Sequence, residues 1–247
     1  DVDSMMTLFD MIEANDCDEI IIAFENSVEG SVTTSTDLLV NAKDLSITCE
    51  VVLPIQHALL AKKGVTKEAL NVVFSHPQAL AQCRRYLNDY LGEVELRPMS
   101  STALAADKYL DDFSAVIGRQ DLATIYDLDI LETNINDYQQ NMTRFIVLSH
   151  QTVKNTGNDK TSLIFSSIKD KPGSLVEVLE EFSARGINLT RIESRPTKQV
   201  LGEYLFFIDF KGHCDDSLIK EILVVLKSKT SYLRVLGSYP RVEGSIV

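Results

Sequence analysis

The sequence predicts an α/β protein in two parts: a mostly parallel sheet with helices on its faces, then a smaller ferredoxin-like βαββαβ unit. Three observations carry this reading. Short apolar runs at Ile20–Phe24, Val72–Phe74 and Ala115–Gly118 are each followed by a helical pattern, the rhythm of strands buried on both faces of a parallel sheet. Phe145–Leu148, entered through Asn141, Met142, Thr143 and Arg144, reads as one more buried strand. After His150 the composition changes: Gln151–Lys160 is polar and carries Asn155, Gly157 and Asn158, so one unit closes and a different one follows.

The elements follow in order. Asp3 or Ser4 suits the cap of a helix running to about Ala14. The Ile20–Phe24 strand runs into Glu25, Asn26 and Ser27, polar residues at a strand's carboxyl end, where open α/β sheets bind ligands. A plain strand-to-helix turn capped by Asn26 or Ser27 reads equally from these residues. Asp37–Asn41 is helical, and Leu45–His57 is extended, with Pro54 pointing to an edge or a crossing segment. Val72–Phe74 ends in Ser75-His76-Pro77-Gln78, with Ser75 as cap and Pro77 in the first turn of a helix from Gln78 to Leu91. His76 is either a capping-loop histidine or a ligand group. Glu93–Leu96 is a strand, Ser100-Ser101-Thr102 opens the Ala-rich helix Ala103–Leu110, Ala115–Gly118 is the next strand and Asp121–Tyr126 a short helix. Leu128–Ile135 leads to the Asn141–Leu148 strand. Polar junctions at Asn26 and Ser27, Ser75 and His76, Ser101 and Thr102, and Asn141 and Thr143 point to a small-molecule cleft. No GxGxxG or GxxxxGK[ST] is present, so no dinucleotide or nucleoside triphosphate is indicated.

From Thr161 the pattern changes. Thr161–Ile168 alternates as a strand, and Pro172-Gly173-Ser174 opens a helix with Leu175, Val176, Val178, Leu179 and Phe182 at helical spacing, stopped by Gly186. Ile187–Ser194 and Val200–Phe210 are strands joined through Pro196 and Gln199; Ser217–Leu226 is a helix and Tyr232–Tyr239 the last strand. The order is βαββαβ.

At 247 residues the chain has room for one large or two ordinary domains, and 45% hydrophobic with 24% charged residues is the balance of a soluble globular protein. A net charge of −12 argues against a nucleic-acid partner and against an anionic membrane surface, both of which need clustered Lys and Arg. Cys17, Cys49, Cys83 and Cys214 form no CxxC pair and read as buried free thiols in a reducing compartment. The histidines form no HExxH or similar set, so no metal site is expected. No apolar run approaches the ~20 residues that span a bilayer, and no signal-peptide pattern opens the chain; the expectation is cytoplasmic. The chain opens on Asp1-Val2-Asp3-Ser4 and enters a helical pattern with no strand before it, which reads as a domain lacking its first element.

Together these motifs resemble prephenate dehydratase followed by an ACT regulatory domain. The PxENSxxGxV motif of that family matches Ala23–Val32, with Ala23 for the usual Pro; its SHPQALxQC motif matches Ser75–Cys83; Ser101-Thr102-Ala103 and Asn141-Met142-Thr143-Arg144-Phe145 match two more. The GALV-like motif of ACT domains matches Gly173–Val176, with Ser174 for the usual Ala, and the ESRP motif matches Glu193-Ser194-Arg195-Pro196. Nothing here matches the GPxGTxS-type loop with which family members begin, so the chain is expected to start about one β-α unit late.

The resemblance implies a two-lobed, periplasmic-binding-protein-like (type II) catalytic part over 1–150, with lobe one about 1–50 and 143–150 and lobe two about 51–142. A linker at 151–160 and an ACT domain at 161–247 follow. It implies conversion of prephenate to phenylpyruvate with loss of carbon dioxide and water, a carbon–oxygen lyase reaction of phenylalanine biosynthesis that needs no cofactor or metal. It puts the key hydroxyl at Thr143, with Asn141 to orient it and Arg144 either contributing to the site or bracing it. Asn26, Ser27, Ser75, His76, Ser101 and Thr102 are the candidate contacts to the dianionic substrate. L-Phenylalanine is the implied allosteric inhibitor, with Gly173, Ser174, Leu175, Asn188, Leu189, Glu193, Ser194 and Arg195 as candidate contacts in a homodimer or homotetramer. The competing reading is a catalytically weak module that binds small acids or phenylalanine. A periplasmic solute binder shares the two-lobed fold, but the attached ACT unit counts against it.

Overall fold

The computed structural model describes residues 4–168, 172–198 and 200–242. The alternative cap at Asp3 and the joint at Gln199 lie outside the described residues. In chain order the elements are α1 (Met5–Glu13), β1 (Glu19–Asn26), β2 (Gly30–Ser31), α2 (Thr33–Asn41), β3 (Ser46–Pro54), β4 (Ala58–Lys62), β5 (Val72–Ser75), α3 (Pro77–Gln82) and α4 (Arg84–Tyr90). They continue with β6 (Glu95–Pro98), α5 (Thr102–Lys108), β7 (Ser114–Gly118), α6 (Asp121–Ile125), β8 (Leu128–Glu132) and β9 (Met142–Ser149). The last six are β10 (Asp159–Ser167), α7 (Ser174–Ser183), β11 (Leu189–Pro196), β12 (Tyr204–Lys211), α8 (Ser217–Lys229) and β13 (Thr230–Pro240). The chain divides into two compact units: Asp1–Glu25 with Ser31–Val52 and Arg144–Val247, and Asn26–Gly30 with Leu53–Thr143.

The first unit holds two sheets, ordered β2-β1-β9-β3 and β11-β12-β10-β13. Ser4 caps α1 by accepting the Thr7 N–H at 3.2 Å, and β3, which ends in Pro54, lies at a sheet edge, where a missing N–H costs no ladder bond. The second sheet is antiparallel where β10 meets β12 and β13 and where β11 meets β12. Leu163, Phe165, Ile208 and Phe210 pack with Val178, Phe182, Ile219, Ile222 and Leu226 of α7 and α8. The alternate residues Ile164 and Phe207, with Leu236 and Tyr239, share a core with Ile22, Phe24, Leu45, Ile47, Ile146 and Leu148. A strand with both faces buried cannot alternate polar and apolar, and this is why β10 is apolar on successive residues.

Charge joins the same two sheets. Arg144 on β9 is buried; its Nη1 donates to Asp209 Oδ2 at 2.6 Å, its Nη2 to the Tyr239 hydroxyl at 2.7 Å, and its Nε lies 2.7 Å from Glu50 Oε2. Ser162 donates to Asp209 at 2.6 Å, and Lys160 donates to both Glu50 oxygens at 2.8 and 2.9 Å. Burial opposes the charge on Arg144, but Tyr239, Asp209 and Glu50 outweigh it and hold its pKa above the usual value. Burial likewise acts against Asp209, and Arg144 and Arg191 reverse it, so this carboxyl sits below the usual range. Arg234 on β13 donates to the Leu39 carbonyl in the last turn of α2 at 3.1 Å and to those of Ala42 and Leu45 in the turn that follows at 2.5 and 2.9 Å, closing an end at which helix carbonyls lack intrahelical partners. Gly237 passes so close to β3 that a Cβ there would enter the Ile47 backbone.

The second unit is a five-stranded sheet ordered β6-β5-β7-β4-β8. β5 runs parallel to β6 and β7, whereas β4 is antiparallel to β7 and β8. Alternate residues supply the two faces: Leu59, Ala61, Val73, Ala115 and Ile117 pack with α3 and α4, and Ala58, Leu60, Phe74 and Val116 pack with α5.

Several expectations are corrected. The sheet of the second unit is mixed rather than mostly parallel, because β4 runs antiparallel to both β7 and β8. Leu45–His57 is not one strand: the Ile55 N–H turns to the Asn141 carbonyl at 2.8 Å and the His57 N–H to Asn136 Oδ1 at 2.6 Å, so β3 stops at Pro54. The expected Gln78–Leu91 helix is split at Cys83, whose φ/ψ of −116°/18° lies off the helical values. Its cap is His76 rather than Ser75: His76 Nδ1 accepts the Gln78 N–H at 3.3 Å. The Val200–Phe210 strand starts only at Tyr204, after a turn closed by the Thr197 N–H on the Glu203 carbonyl at 3.0 Å. Of the thiols only Cys83 is buried, while Cys49 is exposed.

Arg144→Met takes the guanidinium from buried Asp209 and leaves buried Glu50 to the Lys160 ammonium. It should lower the unfolding free energy by about 3–5 kcal/mol, the usual cost of breaking a buried ion pair from one side; a urea titration followed by circular dichroism measures it.

Candidate active site

Asn26, Asn141 and Thr143 meet in the second unit, each almost fully buried. Asn26 Oδ1 accepts the N–H groups of Val28 and Glu29 at 2.9 and 3.0 Å, which fixes the orientation of its amide. Its Nδ2 must then donate, and it does so twice: to Asn141 Oδ1 at 2.8 Å and to Thr143 Oγ1 at 2.9 Å. Asn141 Nδ2 passes the direction on to Gln82 Oε1 at 3.0 Å. Gln82 Nε2 donates to Glu29 Oε1 at 2.7 Å, and Gln78 Nε2 to Glu29 Oε2 at 2.5 Å. His57 Nε2, 3.0 Å from Gln82 Oε1, is therefore the protonated ring nitrogen. Its Nδ1 is a buried acceptor with no hydrogen-bond partner among the described residues.

Thr143 Oγ1 spends a lone pair on Asn26, so its proton is free to be donated. A neutral hydroxyl that accepts a strong donor is a better donor itself, because hydrogen bonds in a chain polarise one another.

Fixed points hold this chain. Ser27 gives its N–H to the Met142 carbonyl at 2.9 Å, accepts the Met142 N–H at 2.9 Å and donates its hydroxyl to the Gln140 carbonyl at 3.2 Å, pinning its loop beside Asn141. Gln78 and Gln82 share a face of α3 by their i, i+4 spacing.

Ser75 and Thr102 form a second pair, their hydroxyls 3.2 Å apart at the carboxyl ends of β5 and the start of α5. Ser75 donates to the Ile117 carbonyl at 2.6 Å, so Thr102 is the donor between them. Ser101 caps α5 by accepting the Leu104 N–H at 3.3 Å. A Cβ at Gly118 would meet the side chains of Thr102 and Leu122, so a larger residue there would push Thr102 from its place. Arg144 belongs to the ion-pair cluster of the first unit. Residue patterns alone did not single out Gln82, Glu29, His57 or Asn136; the available signal was the pair of glutamines at helical spacing.

In the first unit, Gly173 precedes α7 with φ +87°, a left-handed turn suited to glycine, and Ser174 and Leu175 open that helix. β11 alternates. Arg191, Glu193 and Arg195 lie on one face, where Ser31 donates to Glu193 and Arg195 Nη2 donates to Asp37 Oδ1 at 3.2 Å. Ser194 and Ile192, paired with Phe206 and Ile208, point to the opposite, helix-bearing face. Leu189 begins the strand, and Asn188 accepts the Lys211 N–H at 3.2 Å. His213, Cys214 and Asp215 come together, but His213 Nε2 is engaged by the Val153 carbonyl at 3.1 Å and its Nδ1 by the Asp215 N–H at 3.0 Å, which leaves no ring nitrogen for a metal.

A prephenate dehydratase family model matches residues 1–153 and an ACT domain model residues 161–227. The chain belongs to the prephenate dehydratase family. It is 41% identical over 246 residues to prephenate dehydratase of Methanocaldococcus jannaschii, covering 97% of this chain and 88% of that protein. It is 41% identical over 236 residues to a bifunctional chorismate mutase/prephenate dehydratase of Aquifex aeolicus, covering 95% of this chain but 64% of that longer protein. The structure is similar to that of an Arthrobacter aurescens prephenate dehydratase in complex with L-Phe, with a TM-score of 0.88 and 35% identity over 100% of this chain and 83% of that one. The mixed α/β dehydratase part followed by an ACT domain is thus the fold that the motifs implied. Among the described residues no helix is long and apolar enough to cross a membrane.

Burial lowers the His57 pKa and the Gln82 hydrogen bond opposes this only in part. The folded protein therefore binds fewer protons than the unfolded chain below the ordinary histidine pKa of about 6.5, and stability falls as pH drops through that value. His57→Gln keeps a donor toward Gln82 and should flatten the decline in melting temperature between about pH 7 and pH 5 relative to wild type; an unchanged slope would remove His57 as its source.

Proposed function

We propose that the protein converts prephenate to phenylpyruvate and that L-phenylalanine regulates it through the ACT domain. The observation that carries the reading is the direction of the hydrogen bonds at Thr143: Asn26 donates to its oxygen, which leaves its proton for a leaving group. In the reaction the ring carboxylate leaves as carbon dioxide, its C–C electron pair enters the ring, and the C–O bond to the ring hydroxyl breaks. The departing oxygen takes up a proton and leaves as water. The ring becomes aromatic, so the protein need only align the breaking bonds and stabilise charge on the leaving oxygen. A hydrogen bond from Thr143 that strengthens as that charge develops does this. Asn141 fixes Asn26 and hence Thr143.

The substrate carboxylates call for donors. His76 is exposed and uses Nδ1 as an acceptor, so its neutral form offers Nε2–H. Ser101 accepts the Leu104 N–H and keeps its own proton for a carboxylate, whereas Ser27 and Thr102 give theirs to the Gln140 carbonyl and to Ser75 and enter the reading as groups that shape the junctions. Arg144 is fully engaged by Asp209, Glu50 and Tyr239 and enters the reading as a brace.

We take 1–150 as the catalytic part, with lobes of about 1–50 and 143–150 and about 51–142, 151–160 as linker and 161–247 as the ACT domain. For the effector, the first-turn N–H groups after Gly173, at Ser174 and Leu175, suit a carboxylate, with Asn188, Leu189 and Ser194 as the further candidate contacts. Glu193 and Arg195, engaged with Ser31 and Asp37, would carry its effect across β11. The edge position of β11, with Ile192 exposed, supports assembly as a homodimer or homotetramer. A biosynthetic role with free thiols suits the cytoplasm.

Incubation with prephenate should yield phenylpyruvate, read by its absorbance in base. Thr143→Ala should lower kcat about 10²–10³-fold, the usual loss for one transition-state donor, with L-phenylalanine binding by calorimetry unchanged. Full activity of that variant would exclude the role given to Thr143.

A further inference from the structure

Resting on that reading, we propose that Arg191, a residue of the ACT domain, is a positioning residue for the dehydratase reaction, because it holds both ends of the segment that carries Asn26. The segment Asn26–Gly30 departs from Glu25 and returns at Ser31. Arg191 Nη2 donates to Ser31 Oγ at 2.7 Å, and its Nε lies 3.7 Å from Glu25 Oε2. Its guanidinium stands 4.5 Å over the ring of Phe24, the residue before Glu25. Glu193, two residues along β11, receives both Arg191 and the Ser31 hydroxyl and so locks the two together. A backbone bond from the Val32 N–H to the Phe24 carbonyl at 2.9 Å closes the base of the same loop.

The Arg191 side chain is 5% exposed. A guanidinium so deeply buried persists only where opposite charge fixes it, and its fork suits two partners at once. Its Nη1 makes no hydrogen bond among the described residues; its polar contacts are to Ser31, Glu25 and Glu193, and its charge also acts on Asp209 across the strand pair. Asn26 is one peptide bond from Glu25, and its amide sets the Thr143 hydroxyl. A loop end free to shift by about 1 Å would misdirect that donor, and displacements of that size cost about 10²-fold in rate.

The test uses the full chain with prephenate and compares wild type, Arg191→Met, Arg191→Lys, Ser31→Ala and the Arg191→Met/Ser31→Ala pair. Arg191→Met should lower kcat at least tenfold with KM within about threefold. Ser31→Ala should lower kcat severalfold, and the pair should be no worse than Arg191→Met alone, as expected for residues acting through one contact. Arg191→Lys keeps the charge but cannot bridge both partners and should recover only part of kcat. Wild-type kcat in a folded Arg191→Met that binds L-phenylalanine, or fully multiplicative losses in the pair, overturns the proposal. Should Arg191→Met fail to fold, wild-type kcat in both Ser31→Ala and Arg191→Lys overturns it. Absence of turnover in wild type would instead sink the reading of function. The clamp is then read by amide hydrogen exchange at Val28 and Glu29, which should speed up in Ser31→Ala and Arg191→Lys; unchanged exchange in both rejects it.

Discussion

The first unit depends on the burial of one guanidinium. Arg144 cannot be desolvated alone; it needs acceptors within hydrogen-bond reach, two of them carboxylates and one a phenol, and these come from different stretches of chain. Glu50 lies on β3, Asp209 on β12 and Tyr239 on β13. The dehydratase part supplies the cation and one carboxylate, β12 of the ACT domain supplies the other carboxylate, and β13 supplies the phenol. Neither set is satisfied by itself, so the seam between the two sequence families is a shared interior with apolar side chains around a compensated charge. A buried pair of this kind adds little net stability over an apolar substitute but penalises every arrangement that parts the partners. Its main effect is on which arrangement forms.

The second unit uses direction rather than charge. Asn26, Asn141 and Gln82 are amides, and an amide is ambiguous until something fixes which end donates. Backbone N–H groups fix Asn26, and the Glu29 carboxylate fixes Gln82. Every amide between is then determined, and the donor left over at the end is the Thr143 hydroxyl. A carboxylate or ammonium in place of any of these amides would break that order.

Much of this was legible in the sequence where one physical signal dominated. Ile20–Phe24 and Ala115–Gly118 are apolar on successive residues, and they are buried strands; Gly173 and Pro77 mark turns and helix starts that the backbone requires. The strand β4 was illegible because Ala58–Lys62 follows another extended run with only Ile55–His57 between, and a side-chain amide, Asn136, makes the break. Gln82 and Asn136 were missed because nothing in a polar residue's identity says that it is buried. Arg191, Asp209 and Arg234 were missed for a related reason. A charge at alternate positions of a strand ordinarily marks the solvent face, and only the presence of another sheet turns that face inward.

Arg234 carries a last consequence. It closes the end of α2 by donating to carbonyls about 190 residues away in sequence, a task that helices usually give to a neighbouring residue. The dehydratase part thereby takes a local folding instruction from the distant last strand. An exchange of the C-terminal part between relatives would have to import an arginine in the same register of that strand, or the helix bearing Asp37 would end unsatisfied. The line along which such proteins can be recombined is therefore drawn by side-chain bookkeeping at β13, not by the polar linker that separates the two modules in the chain.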